Sequence, residues 1–207
     1  VPIDAPHDAL LDQVLVLGGV EELQFLLVHA IHPGEVHRPL VLQRGLQGEG
    51  FEQGVVGDVM VGIVAEVALL RGFGAPTERY DAAIAALTEV SPFRQLYTPG
   101  GRPMSAFQSS CGACGWYSDA RGYRYESLDP LSGAPWPPMP DFFAVLAREA
   151  AARAGYENFE PDTCLLNRYV AGARMGAHRD ADEQDFTQPI VSVSLGAPAT
   201  FLWYGAA

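Results

Sequence analysis

Apolar positions divide the 207 residues into a readable part and an unreadable one. From Val67 onward the pattern breaks into short elements. Val67–Leu70 is an apolar strand, and Arg71–Pro76 turns out of it. Thr77 suits the N-cap of a helix running to about Val90, because Tyr80, Ile84 and Leu87 recur at helical spacing and Ser91-Pro92 stops it. Thr98-Pro-Gly-Gly101 is a turn, Met104–Ser109 is strand-like, and Cys111–Gly115 turns again. Trp116–Tyr125 alternates aromatics, and Pro130–Pro140 reads as an extended loop. Asp141 is expected to cap a helix over Phe142–Ala154 that ends at Gly155. Thr163–Tyr169 is a strand, Val170–Met175 a glycine-containing turn, Ile190–Leu195 an apolar strand, and Thr200–Tyr204 the start of another. Short strands after two helices, punctuated by glycine and proline, predict an α+β chain with a sandwich or barrel of jelly-roll type.

Residues 1–66 do not read as a domain. Leu10–Leu17 and Leu23–His29 are apolar runs, and Val55–Val67 is rich in valine and glycine with strand-like character. Between them, Ile31–Gly54 is broken by Pro33, Gly34, Pro39, Gly45, Gly48 and Gly50. Helical and strand periodicity are both poor. The segment is therefore left unassigned. It is either an extension with its own role or sequence that is not natively translated, and the second is preferred. Residues 67–207 form the interpretable domain.

Composition narrows the class only a little. The length suits one domain, and 48% hydrophobic residues with a mean hydropathy of +0.06 are ordinary. No apolar run approaches the ~20 residues of a membrane span. An acidic N-terminus does not resemble a secretory leader, and three cysteines suggest no disulfide framework, so a cytoplasmic setting is expected. The net charge of −12 speaks against a nucleic-acid partner, yet it is uneven. Residues 1–66 hold ten acids and two arginines, and residues 67–207 hold fifteen and eleven. Cys111-Gly-Ala-Cys114 lacks the context of a redox motif or a second zinc-binding pair, so structural cysteines are expected. His7, His29, His32 and His37 fit no ligand spacing.

Four groups of residues carry candidate chemistry. His178-x-Asp180 has the spacing at which an imidazole and a carboxylate share one strand face and can grip one cation. It supplies two of the three ligands of a 2-His-1-carboxylate iron(II) site, although such pairs are more often surface features. Asn167 and Tyr169, also two apart, can both donate to a carboxylate or can simply line a solvent face. Trp116, Tyr123 and Tyr125 can clamp a planar ring or pack in the core. Asp182, Glu183 and Asp185 can face a cationic substrate or form a solvated loop.

Taken in order, a longer set of segments resembles the AlkB family of iron(II)- and 2-oxoglutarate-dependent dioxygenases, in its bacterial branch that repairs alkylated DNA. They are Ser91-Pro-Phe-Arg-Gln95, Thr98-Pro-Gly-Gly101, Cys111-Gly112, Gly115-Trp116, Gly122-Tyr123-Arg-Tyr125, Pro135-Trp-Pro137, Ala154-Gly-Tyr156, Asn167-Arg-Tyr169, His178-x-Asp180 and Pro189-Ile-Val-Ser-Val-Ser-Leu-Gly196. The first 66 residues match nothing in the family.

The resemblance implies a double-stranded β-helix, or jelly roll, preceded by helices and a substrate-lid β region. It implies Fe(II), 2-oxoglutarate and O2 as cofactor and cosubstrates. His178 and Asp180 would be metal ligands, and Asn167 and Tyr169 would hold 2-oxoglutarate with Arg168 between them. Trp116, Tyr123, Arg124 and Tyr125 would shape the pocket around a flipped-out base. Asp182 would face that base, since a carboxylate stabilises cationic 1-methyladenine and 3-methylcytosine. The implied reaction hydroxylates the N-methyl carbon and releases formaldehyde, in an apparently monomeric protein. The implied partner is alkylated DNA, single-stranded by preference because extrusion then costs least, or RNA.

The family's second histidine ligand and its 2-oxoglutarate-binding arginines fall beyond Ala207, together with further jelly-roll strands. The core is therefore expected to be incomplete, with unpaired edges on Ile190–Leu195 and Thr200–Tyr204. The chain on its own is not expected to release formaldehyde. Two alternatives stand beside the repair reading: a catalytically inactive remnant or binding module, and a related oxygenase acting on RNA, protein or a small molecule.

Overall fold

The computed structural model describes residues 12–17, 23–29, 39–42, 60–64, 67–70, 73, 78–176, 187–196 and 199–204. In chain order the elements are β1 (Asp12–Leu17), β2 (Leu23–His29), β3 (Pro39–Leu42), β4 (Met60–Val64), β5 (Val67–Leu70) and α1 (Glu78–Val90). They continue with β6 (Arg94–Tyr97), β7 (Pro103–Gly112), β8 (Gly115–Asp119), β9 (Gly122–Glu126) and α2 (Asp141–Arg153). Last come β10 (Thr163–Tyr169), β11 (Arg174–Met175), β12 (Ile190–Gly196) and β13 (Ala199–Tyr204). Helix and sheet are mixed as the pattern predicts. Most strand pairs are antiparallel, the exceptions being β3 with β12 and with β5.

One sheet runs β4-β5-β3-β12-β2-β10-β7-β6, a second β11-β1-β13, and β8-β9 is a separate hairpin. The edges of β12 are not open. It lies between β2 and β3, while β13 pairs along its length with β1. Both sides of β12 are thus covered by strands of the N-terminal segment, whereas β13 is paired on one side only and is an edge strand among the described residues. β1 and β2 carry apolar runs without a clear alternation, which left them unassigned from periodicity alone.

Both helices lie on one face of the large sheet. Tyr80, Ile84 and Leu87 of α1 are buried with Phe143, Leu146, Ala147, Ala150 and Ala151 of α2. Tyr80 stacks on Phe143 and meets Phe142 edge-on, at centroid distances of 5.8 and 5.3 Å. The same cluster takes in Cys111, Cys164, Leu166, Val191, Val193 and Leu195 from the sheet. Alternation along each strand then turns Gln108, Ser110, Leu165, Asn167, Tyr169, Ser192 and Ser194 to the opposite face.

The helix ends explain themselves locally. Asp141 is the first residue of α2 and not its cap. Pro140 holds the capping position, with no side-chain cap, and its carbonyl accepts the Phe143 N–H at 2.9 Å. At the far end Gly155, at φ 92°, donates to the Ala152 carbonyl, and Tyr156 donates to that of Ala151. That left-handed closure is what the glycine supplies. Thr77, expected as the cap of α1, lies outside the described residues.

Candidate functional site: a buried polar row and an aromatic hairpin

Residues on the inner sheet face are unusually polar for their burial. Gln108, Ser110, Asn167, Ser192 and Ser194 are all buried, and Asn167 is 0% exposed. Strand register sets them in rows. Gln108 of β7 is opposite Asn167 of β10, and both Asn167 and Ser194 of β12 pair with position 25 of the intervening β2. Gln108 Nε2 donates to Asn167 Oδ1 at 3.0 Å. The remaining polar atoms, Gln108 Oε1, Asn167 Nδ2, Ser110 Oγ and Ser194 Oγ, have no hydrogen-bond partner. Orphaned polar atoms at this density cost free energy, about 1–3 kcal/mol each, unless a ligand or water satisfies them.

Asn167 and Tyr169 therefore share a buried face rather than a solvent one, and the Tyr169 hydroxyl reaches Met175 Sδ at 3.8 Å. Arg168, expected beside the same cosubstrate, goes the other way. Strand alternation turns its guanidinium over Phe93 and Phe107, 4.6 and 5.4 Å from the ring centroids. His178, Asp180 and Asp182 lie outside the described residues. Among the described residues no three metal-ligating side chains come together.

The second element of the site is the β8–β9 hairpin. Its register pairs Trp116 with Tyr125, Tyr117 with Arg124 and Ser118 with Tyr123. Trp116, Tyr123 and Tyr125 therefore share one face, and Trp116 stacks diagonally on Tyr123 at 5.6 Å and 16°. Tyr123 is 44% exposed, so this platform borders solvent. Arg124 belongs to the opposite face, contrary to its expected place in the base pocket, because odd and even positions of a strand diverge. There it donates to Asp119 at 2.8 and 3.1 Å and to Glu126, with its guanidinium over Tyr117. Its hydrogen bonds hold the Asp119 carboxyl well below the usual carboxylate range, and Asp119 in turn raises Arg124. One face of the hairpin is thus an ion-paired brace and the other an aromatic platform.

A buried frame anchors the hairpin. Trp136 Nε1 donates to the Glu126 carbonyl at 2.8 Å, and Gly115 leaves no room for a side chain beside the Trp136 ring. Arg94 lies over Trp136 and holds both oxygens of Asp129, at 2.5 and 3.1 Å. Burial pushes the Asp129 carboxyl up, but hydrogen bonds from Arg94, the Leu131 N–H and Ser132 outweigh it, so its pKa falls. A folded-state pKa below the unfolded value of about 3.9 means stability that is present above that value and lost as pH falls through the folded one. Replacing Arg94 with methionine is expected to cost about 2–3 kcal/mol at pH 7 and clearly less at pH 3. Urea unfolding of both proteins at both pH values checks this; an equal loss at both would show that the ion pair is not the cause.

Two cysteines serve the core. Cys111 and Cys164 are cross-strand neighbours, both 0% exposed, and neither is in a disulfide. Burial, then the neighbouring Cys111 thiol, pushes the Cys164 thiol up, which disfavours the reactive thiolate. Sequence reasoning missed Gln108 and Ser194 as site residues. The signal that exposes them is the register, which sets them in one row with Asn167.

The family model described as the 2OG-Fe(II) oxygenase superfamily matches residues 66–207. The chain belongs to this superfamily. It is 52% identical over 122 residues to the alpha-ketoglutarate-dependent dioxygenase AlkB of Salmonella typhimurium, covering 59% of this chain and 56% of that protein. With AlkB of Escherichia coli it shares 51% identity over 115 residues, 56% and 53% of the two chains. The nucleic acid dioxygenase ALKBH1 of Homo sapiens is 31% identical over 90 residues, 44% of this chain and 23% of that one. The resemblance carried by the motifs and these similarities agree. The chain spans about half the length of the AlkB relatives it matches. Among the described residues no helix is long and apolar enough to cross a membrane.

Proposed function

We propose that this protein repairs N-alkylated nucleobases, such as 1-methyladenine and 3-methylcytosine in DNA, by oxidative demethylation on a jelly-roll framework. The observation that carries the reading is the orphaned amide of Asn167. It is a fully buried donor on the strand that precedes His178-x-Asp180 in the sequence, in a chain half identical to AlkB over 122 residues. An unpartnered N–H suits an oxyanion or carbonyl, and 2-oxoglutarate offers both. The unpartnered Asn167 Nδ2 thus fits the cosubstrate. For iron(II), His178 and Asp180 are the proposed ligands on the strength of their spacing and family.

Iron(II), 2-oxoglutarate and O2, when bound, would supply the oxidation that hydroxylates the N-methyl carbon, which then leaves the base nitrogen as formaldehyde as the C–N bond breaks. The protein's own residues bind and orient. Asn167 donates to 2-oxoglutarate, and Tyr169 lines the same face. Trp116 and Tyr123 offer π-faces to an extruded base, and Asp182 is proposed to balance the charge of a methylated one. A single strand is the preferred partner, with RNA second, since no pairing has to be broken there. The protein is proposed to work as a cytoplasmic monomer.

The full-length protein, supplied with Fe(II), 2-oxoglutarate and ascorbate, is expected to release formaldehyde from single-stranded oligonucleotides carrying either lesion. Failure on both, with iron and 2-oxoglutarate shown to bind, would sink the substrate class.

A further inference from the structure

We propose that Gln108 is a positioning residue for 2-oxoglutarate: it fixes which end of the Asn167 amide meets the cosubstrate. The inference rests on the cosubstrate reading above and adds to it a residue outside the Asn167-Arg-Tyr169 motif.

A primary amide presents either an acceptor oxygen or an NH2 donor, and the two ends occupy nearly the same space. Nothing in the asparagine itself decides which end faces a ligand. Its neighbour decides. Gln108 is directly opposite Asn167 in the β7–β10 ladder and donates from Nε2 to Asn167 Oδ1 at 3.0 Å. With its oxygen engaged, Asn167 is left with Nδ2 unpartnered, at a position 0% exposed.

The opposite polarity, Asn167 Nδ2 donating to Gln108 Oε1, would make the same single hydrogen bond and leave the Asn167 oxygen outward. The two arrangements are closely balanced without a ligand. An anion breaks the tie, since it needs the donor. Gln108 can stabilise that state because it carries an NH2 to give. Its surroundings agree: β7, β10 and β12 contain no aspartate or glutamate, and Ser194 Oγ in the same row is also unpartnered. The row is electrically neutral and can turn donors toward an anion.

Two substitutions separate orientation from packing. Gln108→Glu replaces the donor with an acceptor-only carboxylate of the same length. That group attracts Asn167 Nδ2, turns Oδ1 toward the cosubstrate and adds like charge. Gln108→Met keeps the volume and removes both ends of the amide, the donor to Asn167 Oδ1 and the unpartnered Oε1. Calorimetric titration of the full-length protein with 2-oxoglutarate is expected to show affinity about tenfold weaker for the methionine variant and on the order of a hundredfold weaker for the glutamate variant. Lowering the pH should restore part of the glutamate variant's affinity relative to wild type, because a protonated carboxyl donates again. The side-chain 15N amide signal of Asn167 should shift on ligand addition in the wild type.

A role in packing alone would weaken both variants alike and give no pH recovery, which overturns the proposal. If the glutamate variant does not fold, the methionine variant decides, and wild-type affinity there overturns it as well. A wild-type protein that binds no 2-oxoglutarate removes the cosubstrate reading and this inference together. A wild type that binds, with a glutamate variant that binds equally well, removes only the inference.

Discussion

Replacing Gly112 with alanine is expected to cost about 3–5 kcal/mol of folding stability, about 10 °C in melting temperature for a chain of this size. Two independent penalties meet at this residue. Its φ of 116° lies where an L side chain is strained, at about 1–3 kcal/mol. A Cβ there would also run into the Asp162 carbonyl and the Thr163 backbone, and backbone atoms cannot rotate away as a side chain would. Gly112 closes the β7–β10 ladder opposite Thr163, and its N–H donates to the Pro137 carbonyl at 2.9 Å. A shift there propagates along the ladder that sets Gln108 against Asn167. Gly101 is the control. Its φ of 76° is also positive, but nothing lies within 4 Å of a built Cβ, so Gly101→Ala should cost only about 1 kcal/mol. A Gly112→Ala protein melting within about 2 °C of wild type would refute the argument.

How much of this was legible in the sequence depended on what kind of signal each element carries. The two helices announced themselves through 3.6-residue periodicity, while β5, β10 and β12 stood out as apolar runs between punctuating turns. Strand β6 did not, because four residues squeezed between Ser91-Pro92 and Thr98-Pro99 hold no period. Strands β1 and β2 were visible as apolar runs but unassignable. Nothing in a uniformly apolar segment says which strands it will lie between. At the site, the role expected of Asn167 and Tyr169 comes from the family resemblance, since donor chemistry and spacing alone leave a solvent-face reading open. Arg124 and Arg168 lie on the strand faces opposite their site neighbours, a placement that strand alternation alone implies. Gln108 and Ser194 needed the register itself, which is long-range information. In the linear sequence each is only a polar residue in a strand.

Trp116→Ala is expected to weaken binding of a methylated single-stranded oligonucleotide by up to about a hundredfold, near the upper end of what one base–aromatic stack contributes. The effect should exceed that of Tyr123→Ala, because the indole offers a base the larger stacking face. The self-stack lowers the net gain in both cases. With centroids 5.6 Å apart and planes 16° from parallel, Trp116 and Tyr123 already satisfy one another. A base sandwiched between two rings needs about 7 Å between them. An entering base must therefore displace Tyr123 and break a contact of about 0.5–1.5 kcal/mol. Deleting either ring removes that contact, so the offset is common to both variants and the difference between them comes from the wall that is lost, which is larger for the indole. The Arg124–Asp119 brace on the far face should keep the hairpin folded in both variants, so neither should melt much below wild type. Fluorescence anisotropy at fixed salt measures the two affinities. A larger loss for Tyr123→Ala, or wild-type binding by Trp116→Ala, would mean that the base is held somewhere other than on this platform.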